Sequence, residues 1–127
     1  MPARAGSTEE LEQRPYGPES TREEREAIAH RVSVVDDRIL LIHEVPVQSP
    51  FSVKLMFDRF QALAHDWDRF AYVVDLTEAK RPDPETRAAL KAQTLGINPR
   101  ITHLAVAVGD NLLMRAMARL FAYTMGL

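Results

Sequence analysis

The sequence predicts an α/β domain over residues 30–127, built on a mixed, mostly parallel sheet with elements in the order β-β-α-β-α-β-α and preceded by a tail over 1–29. Three observations carry this. The runs at 39–42, 70–76 and 101–108 are apolar almost throughout, as strands buried on both faces of a sheet require. Between them lie segments whose apolar residues recur at three- and four-residue steps, the helical period. Two of those segments open on a polar residue followed by proline, Ser49-Pro50 and Asp83-Pro84, which fits an N-cap followed by the first helical position.

Taken in order, residues 1–20 hold Pro2, Pro15, Pro18 and several Glu with few large aliphatic side chains, so they are expected to remain a disordered tail. Thr21 and Glu24 have the spacing of a capping box, predicting a short helix from Arg22 to Ala29. Val32, Val34 and Val35 precede the polar pair Asp36-Asp37, and Ile39 to Ile42 follow it, which reads as a hairpin. Val53, Met56, Phe57, Phe60, Leu63 and Ala64 form one apolar stripe after Pro50 and give the clearest helix of the chain. Phe70 to Leu76 is an aromatic and β-branched strand.

Asp83 opens the next helix, which is expected to run through Leu95 and to close on Gly96 in a left-handed conformation. Ile101 to Val108 is expected as an interior strand, and Gly109-Asp110 turns into a last helix bearing Leu113, Ala116, Met117, Leu120 and Phe121. Each strand-helix-strand step calls for a parallel pair with a right-handed crossover, leaving the first strand antiparallel.

At 127 residues, with 46% hydrophobic and 27% charged residues, the chain holds one ordinary domain. The absence of cysteine removes disulfide frameworks, thiolate metal sites and cysteine nucleophiles, and fits a reducing, cytoplasmic location. No apolar run reaches about 18 residues, so membrane insertion is not expected. The net charge of −2 conceals an acidic first segment, with seven Glu and four Arg in residues 1–29, and a nearly balanced remainder. Bases interleave with acids, as in Asp58-Arg59 and Asp68-Arg69, rather than forming the basic face that nucleic-acid binding uses.

The element order, together with Val73-Val74-Asp75-Leu76-Thr77 and an Asp83 six residues further on that opens a helix, resembles the STAS domain of anti-sigma-factor antagonists and sulfate transporters, the SpoIIAA-like fold. Asp75-Leu76-Thr77 falls on that family's strand end, Asp83 on its motif aspartate and Leu90 on a following helix leucine. The resemblance implies a signalling or regulatory module that binds a protein partner. Pro84 replaces the family's phosphorylatable serine and Thr86 its glycine, so the serine switch is absent and Glu85 supplies only a fixed negative charge. Phosphorylation at Thr77 or Thr86 stays open. The family continues into another strand and helix beyond the last one read here, so the 30–127 domain is either truncated at its C-terminus or one strand short, leaving an edge for pairing.

The partner-binding residues expected on this reading are Lys80, Arg81, Asp83, Glu85 and Thr86, on the loop and helix start at the carboxyl side of the sheet. Asp75 and Asp110, at strand ends, are candidate ligand positions. For Asp75 the favoured reading is a loop cap rather than a phosphoacceptor, and Asp83 is best explained as an N-cap. His30, His43, His65 and His103 share no metal-ligand spacing, and no serine has a nucleophile-elbow setting. No cofactor, metal or catalytic residue is therefore expected. The alternatives are a small-ligand or lipid-binding domain with an apolar pocket between helices, drawing on Met114, Met117 and Phe121, and, more weakly, an enzyme centred on Asp75. Self-association is the other partner class.

Overall fold

The computed structural model describes residues 11–108. Within them the chain forms helix α1 (Arg22–Ala29), strands β1 (Val32–Asp36) and β2 (Ile39–His43), helix α2 (Pro50–Leu63), strand β3 (Phe70–Asp75), helix α3 (Pro84–Ile97), a 3-10 turn (Asn98–Arg100) and strand β4 (Ile101–Ala107). The predicted α/β class and the order of these elements hold. The last predicted helix, with Asp110 and the methionine-rich stripe, lies outside the described residues.

All three helix starts follow the sequence signals. Thr21 and Glu24 form a reciprocal capping box, Ser49 caps α2 with Ser52 as its reciprocal partner, and the Asp83 side chain accepts from the Thr86 amide at 2.7 Å. The end of α3 differs from expectation. Gly96 does not terminate it, and the helix continues to the fully buried Ile97 before Pro99 enters the 3-10 turn. Burial of Ile97 gains more than an early stop at a glycine. In the β1–β2 hairpin Arg38 takes the left-handed conformation, with φ 55°, that a tight connection demands.

The sheet order is β1-β2-β3-β4, with β1 antiparallel to β2 and the other pairs parallel. Both crossovers step one strand in the same direction. Right-handed connections then place α2 and α3 on the same face, where the two helices pack on each other. Leu40, Ile42, Phe70 and Tyr72 are buried on that side. On the opposite side the row Leu41, Val73 and Ala105 runs from half-buried to exposed.

This arrangement corrects the expectation for 101–108. Among the described residues β4 is an edge strand, and Thr102, His103, Ala105 and Ala107 are exposed. An apolar run built partly from alanine tolerates that exposure, because little hydrophobic area is left in water.

Phe60 sits at the centre of the core with no exposed surface, its ring 5.2 Å from both Phe70 and Tyr72 in edge-to-face geometry and 5.7 Å from Phe57. Arg100 closes the far end of α2. Its guanidinium donates to the carbonyls of Ala64 and Trp67 and stacks over the Phe70 ring at 5.0 Å. The Ala64 carbonyl, which also accepts from the Trp67 amide, and the Trp67 carbonyl thus gain a charged donor beyond the helix end.

Residues 11–20, expected as part of the tail, are instead packed. Leu11 and Tyr16 belong to the core cluster, with Tyr16 only 3% exposed. The Tyr16 carbonyl accepts from Ser49 Oγ at 2.6 Å, Arg14 stacks over the Tyr16 ring at 4.2 Å, and Arg25 donates to the carbonyls of Pro18 and Ser20. Two large side chains suffice to order a segment once a groove beside α1 and α2 receives them, which composition alone does not reveal.

Two stability changes follow. Tyr16→Ala is expected to lower the unfolding free energy in urea by about 2–4 kcal/mol, as a buried aromatic truncation does, whereas an unstructured tail would leave it unchanged. Arg100→Met should cost about 2 kcal/mol in the same assay, because the Ala64 and Trp67 carbonyls lose a charged donor.

Candidate functional site

The carboxyl ends of the parallel strands, where open α/β sheets place ligands, gather most of the charged groups held away from solvent. Parallel pairing sets His43 of β2 beside Asp75 of β3, so both strands end at one level. Beyond that level the chain continues to pair. The Glu44 amide donates to the Asp75 carbonyl at 3.0 Å and the Lys80 amide to the Pro46 carbonyl at 2.8 Å, so the β3–α3 loop runs alongside residues 43–46.

Asp75 behaves as the loop cap that its sequence context favoured. Its Oδ1 accepts from the Thr77 amide at 3.0 Å and the Thr77 hydroxyl at 2.7 Å. Partial burial pushes the Asp75 carboxyl upward, but the two Thr77 donors and the neighbouring His43 outweigh it and hold the carboxyl below its ordinary value. The side chain is therefore committed to shaping the loop.

The loop is fixed internally. Ala79 and Pro82 are buried, the Ala79 amide donates to the Leu76 carbonyl at 3.0 Å, and Asp83 ends the loop as the cap of α3. The Thr86 amide holds the Asp83 carboxyl below its usual range. Lys80, Arg81, Asp83 and Glu85 are all exposed, on one loop and the first turn of the helix it enters. Thr86 departs from expectation. It has no exposed surface, because the first turn of α3 folds it inward, so it cannot contact a partner or accept a phosphoryl group in this conformation.

Sequence reasoning missed the buried polar groups beside this loop. Arg31, between α1 and β1, is 2% exposed and donates to the Glu44 carbonyl at 3.0 Å. Burial lowers the affinity of its guanidinium for a proton, offset in part by Glu78, Glu44 and Tyr16. Glu44 is 6% exposed, and burial raises its carboxyl to about 7 against the weaker opposing effects of the Val45 amide and Arg31. His43 Nε2 lies 2.7 Å from Glu78 Oε2, within ion-pair range but without the alignment of a hydrogen bond. The only signal available beforehand was the abrupt change from an apolar strand to His43-Glu44. Among the described residues no group of three or more histidine or acidic side chains is placed to hold a metal ion, and no helix is long and apolar enough to cross a membrane.

A carboxyl raised on folding binds a proton that the unfolded chain releases. Stability supplied by Glu44 is therefore complete below about pH 4.5 and declines as pH rises towards about 7. The expected loss is at most about 3 kcal/mol from this group. Urea unfolding between pH 5 and 8 should show that decline in the wild type and a flatter profile in Glu44→Gln, whose amide keeps an acceptor for Val45. Comparison with known proteins finds no family model, no curated protein and no solved structure that matches this chain.

Proposed function

We propose that the chain is a non-enzymatic, STAS-like regulatory module that binds a protein partner through the β3–α3 loop and the start of α3, with Lys80, Arg81, Asp83 and Glu85 as the contact residues. The observation that carries this reading is a loop anchored at both ends while its charged side chains point into solvent: Thr77 is tied to Asp75, Lys80 through its backbone to Pro46, and Asp83 to Thr86. A surface already ordered loses little conformational entropy on binding. The one-stranded steps of the sheet and the Asp75-Leu76-Thr77 strand end support the STAS-like part of the reading.

Within that reading, control by phosphorylation does not run through the family's serine position, which is Pro84, nor through the enclosed Thr86. Thr77 is exposed, but its hydroxyl is engaged by Asp75, so adding a phosphoryl group there sets two negative groups against each other. Asp75 Oδ1 accepts both Thr77 hydrogen bonds, so a turnover centred on Asp75 would have to run through Oδ2.

Partner capture followed by binding kinetics tests the proposal. Lys80→Glu with Arg81→Glu should slow association by about tenfold or more and leave dissociation and thermal unfolding nearly unchanged, the pattern of exposed charges that steer encounter. Unaltered kinetics for the captured partner would remove the loop as the contact. Asp75→Asn abolishing a turnover measured with the wild type would replace the proposal with the enzyme reading.

A further inference from the structure

Glu44 occupies a place where ionisation has a structural consequence. Its side chain is enclosed, with the carboxyl accepting from the Val45 amide at 3.2 Å. The end of β3 and the loop after it are attached on both sides of it, β3 through the Glu44 amide to Asp75, the loop through His43 to Glu78 and through Pro46 to Lys80. The Glu44 carbonyl is held from the other direction by Arg31. The charged and titratable groups facing this point are Arg31 from the α1–β1 link, Tyr16 from the packed N-terminal segment, His43 on β2, Asp75 at the end of β3 and Glu78 on the loop.

We propose that Glu44 is a proton-sensitive latch for the 77–83 loop, holding the loop closed when the carboxyl is neutral and loosening it when the carboxyl is charged. A charged carboxylate enclosed in this way lacks the several donors that would replace its water shell. The lowest-cost route to water is displacement of the segment beside it. The 77–83 loop is the segment able to yield: its Glu78 is half-exposed and acts on the same Arg31 guanidinium as Glu44, and its attachments to residues 43–46 are few. The direction agrees with burial raising the Glu44 carboxyl to about 7. The latch stands on the surroundings of Glu44, while its effect on partner binding rests on the function proposed above.

Hydrogen exchange of the loop amides, corrected for the intrinsic effect of pH, reads the latch without any partner. Protection of residues 78–80 in the wild type should fall about tenfold between pH 6 and pH 8, the linkage available to one group titrating midway. Glu44→Gln should hold protection constant within about twofold, and His43→Gln should retain the wild-type fall. Constant protection in the wild type overturns the proposal, as does an undiminished fall in Glu44→Gln or loss of the fall in His43→Gln alone. A carbon-13 carboxyl titration of the wild type removes dependence on any variant: the Glu44 signal must move in step with the loop amides, and titration as an ordinary surface carboxylate overturns the latch. Capture by the Lys80→Glu, Arg81→Glu protein separates the two readings, since that variant keeps the exchange response whether or not the loop is the partner contact.

Discussion

The fold depends on the fit of Phe60 between α2 and β3. Its ring meets Phe70 and Tyr72 edge-to-face and has no contact with solvent, so the rotation of α2 about its axis is set by one side chain and its neighbours. With α2 fixed, Ser49 lies at the carboxyl end of the sheet, where its hydroxyl donates to the Tyr16 carbonyl, and Ala64 lies at the opposite end, where Arg100 reaches it. The core residues and the two end clasps are thus consequences of one packing arrangement. A helix turned by one residue would lose both clasps together with the aromatic cluster.

Much of this was legible in the residues. The caps at Thr21, Ser49 and Asp83 were readable because each uses a short side chain at a fixed distance from an amide, a local chemistry that tertiary context rarely overrides. The antiparallel first strand and the parallel remainder followed from connection lengths. What failed was non-local. The Tyr16 segment owes its order to contacts with α1 and with Ser49, 33 positions later, and Gly96 stays helical because Ile97 beyond it finds the core. The edge position of β4 was hidden because an apolar run looks the same at an edge as in the interior when its outward residues are alanines.

The candidate site was legible in the same uneven way. Asp75 as a loop cap and the exposed loop charges were visible from strand-end chemistry, while Thr86 was misplaced because the face of a weakly amphipathic helix cannot be assigned from alanine-rich sequence. Arg31 and Glu44 escaped notice because they are separated by 13 positions and meet only when the hairpin closes. They also break the rule that charged groups stay outside.

The order β1-β2-β3-β4 bears on how the chain assembles. Leu40 meets Tyr72 and Tyr72 meets Leu104 at the same separation of 32 residues, so every strand is completed against a neighbour already in place. Among the described residues no strand waits for a distant segment, the hairpin closes over the shorter span, and the closure entropy of the two parallel steps is modest and nearly equal. A sheet of this kind can grow in the direction of synthesis, each crossover adding one strand and one helix to a surface already formed, so the amount of unpaired edge exposed at any stage stays close to that of a single strand.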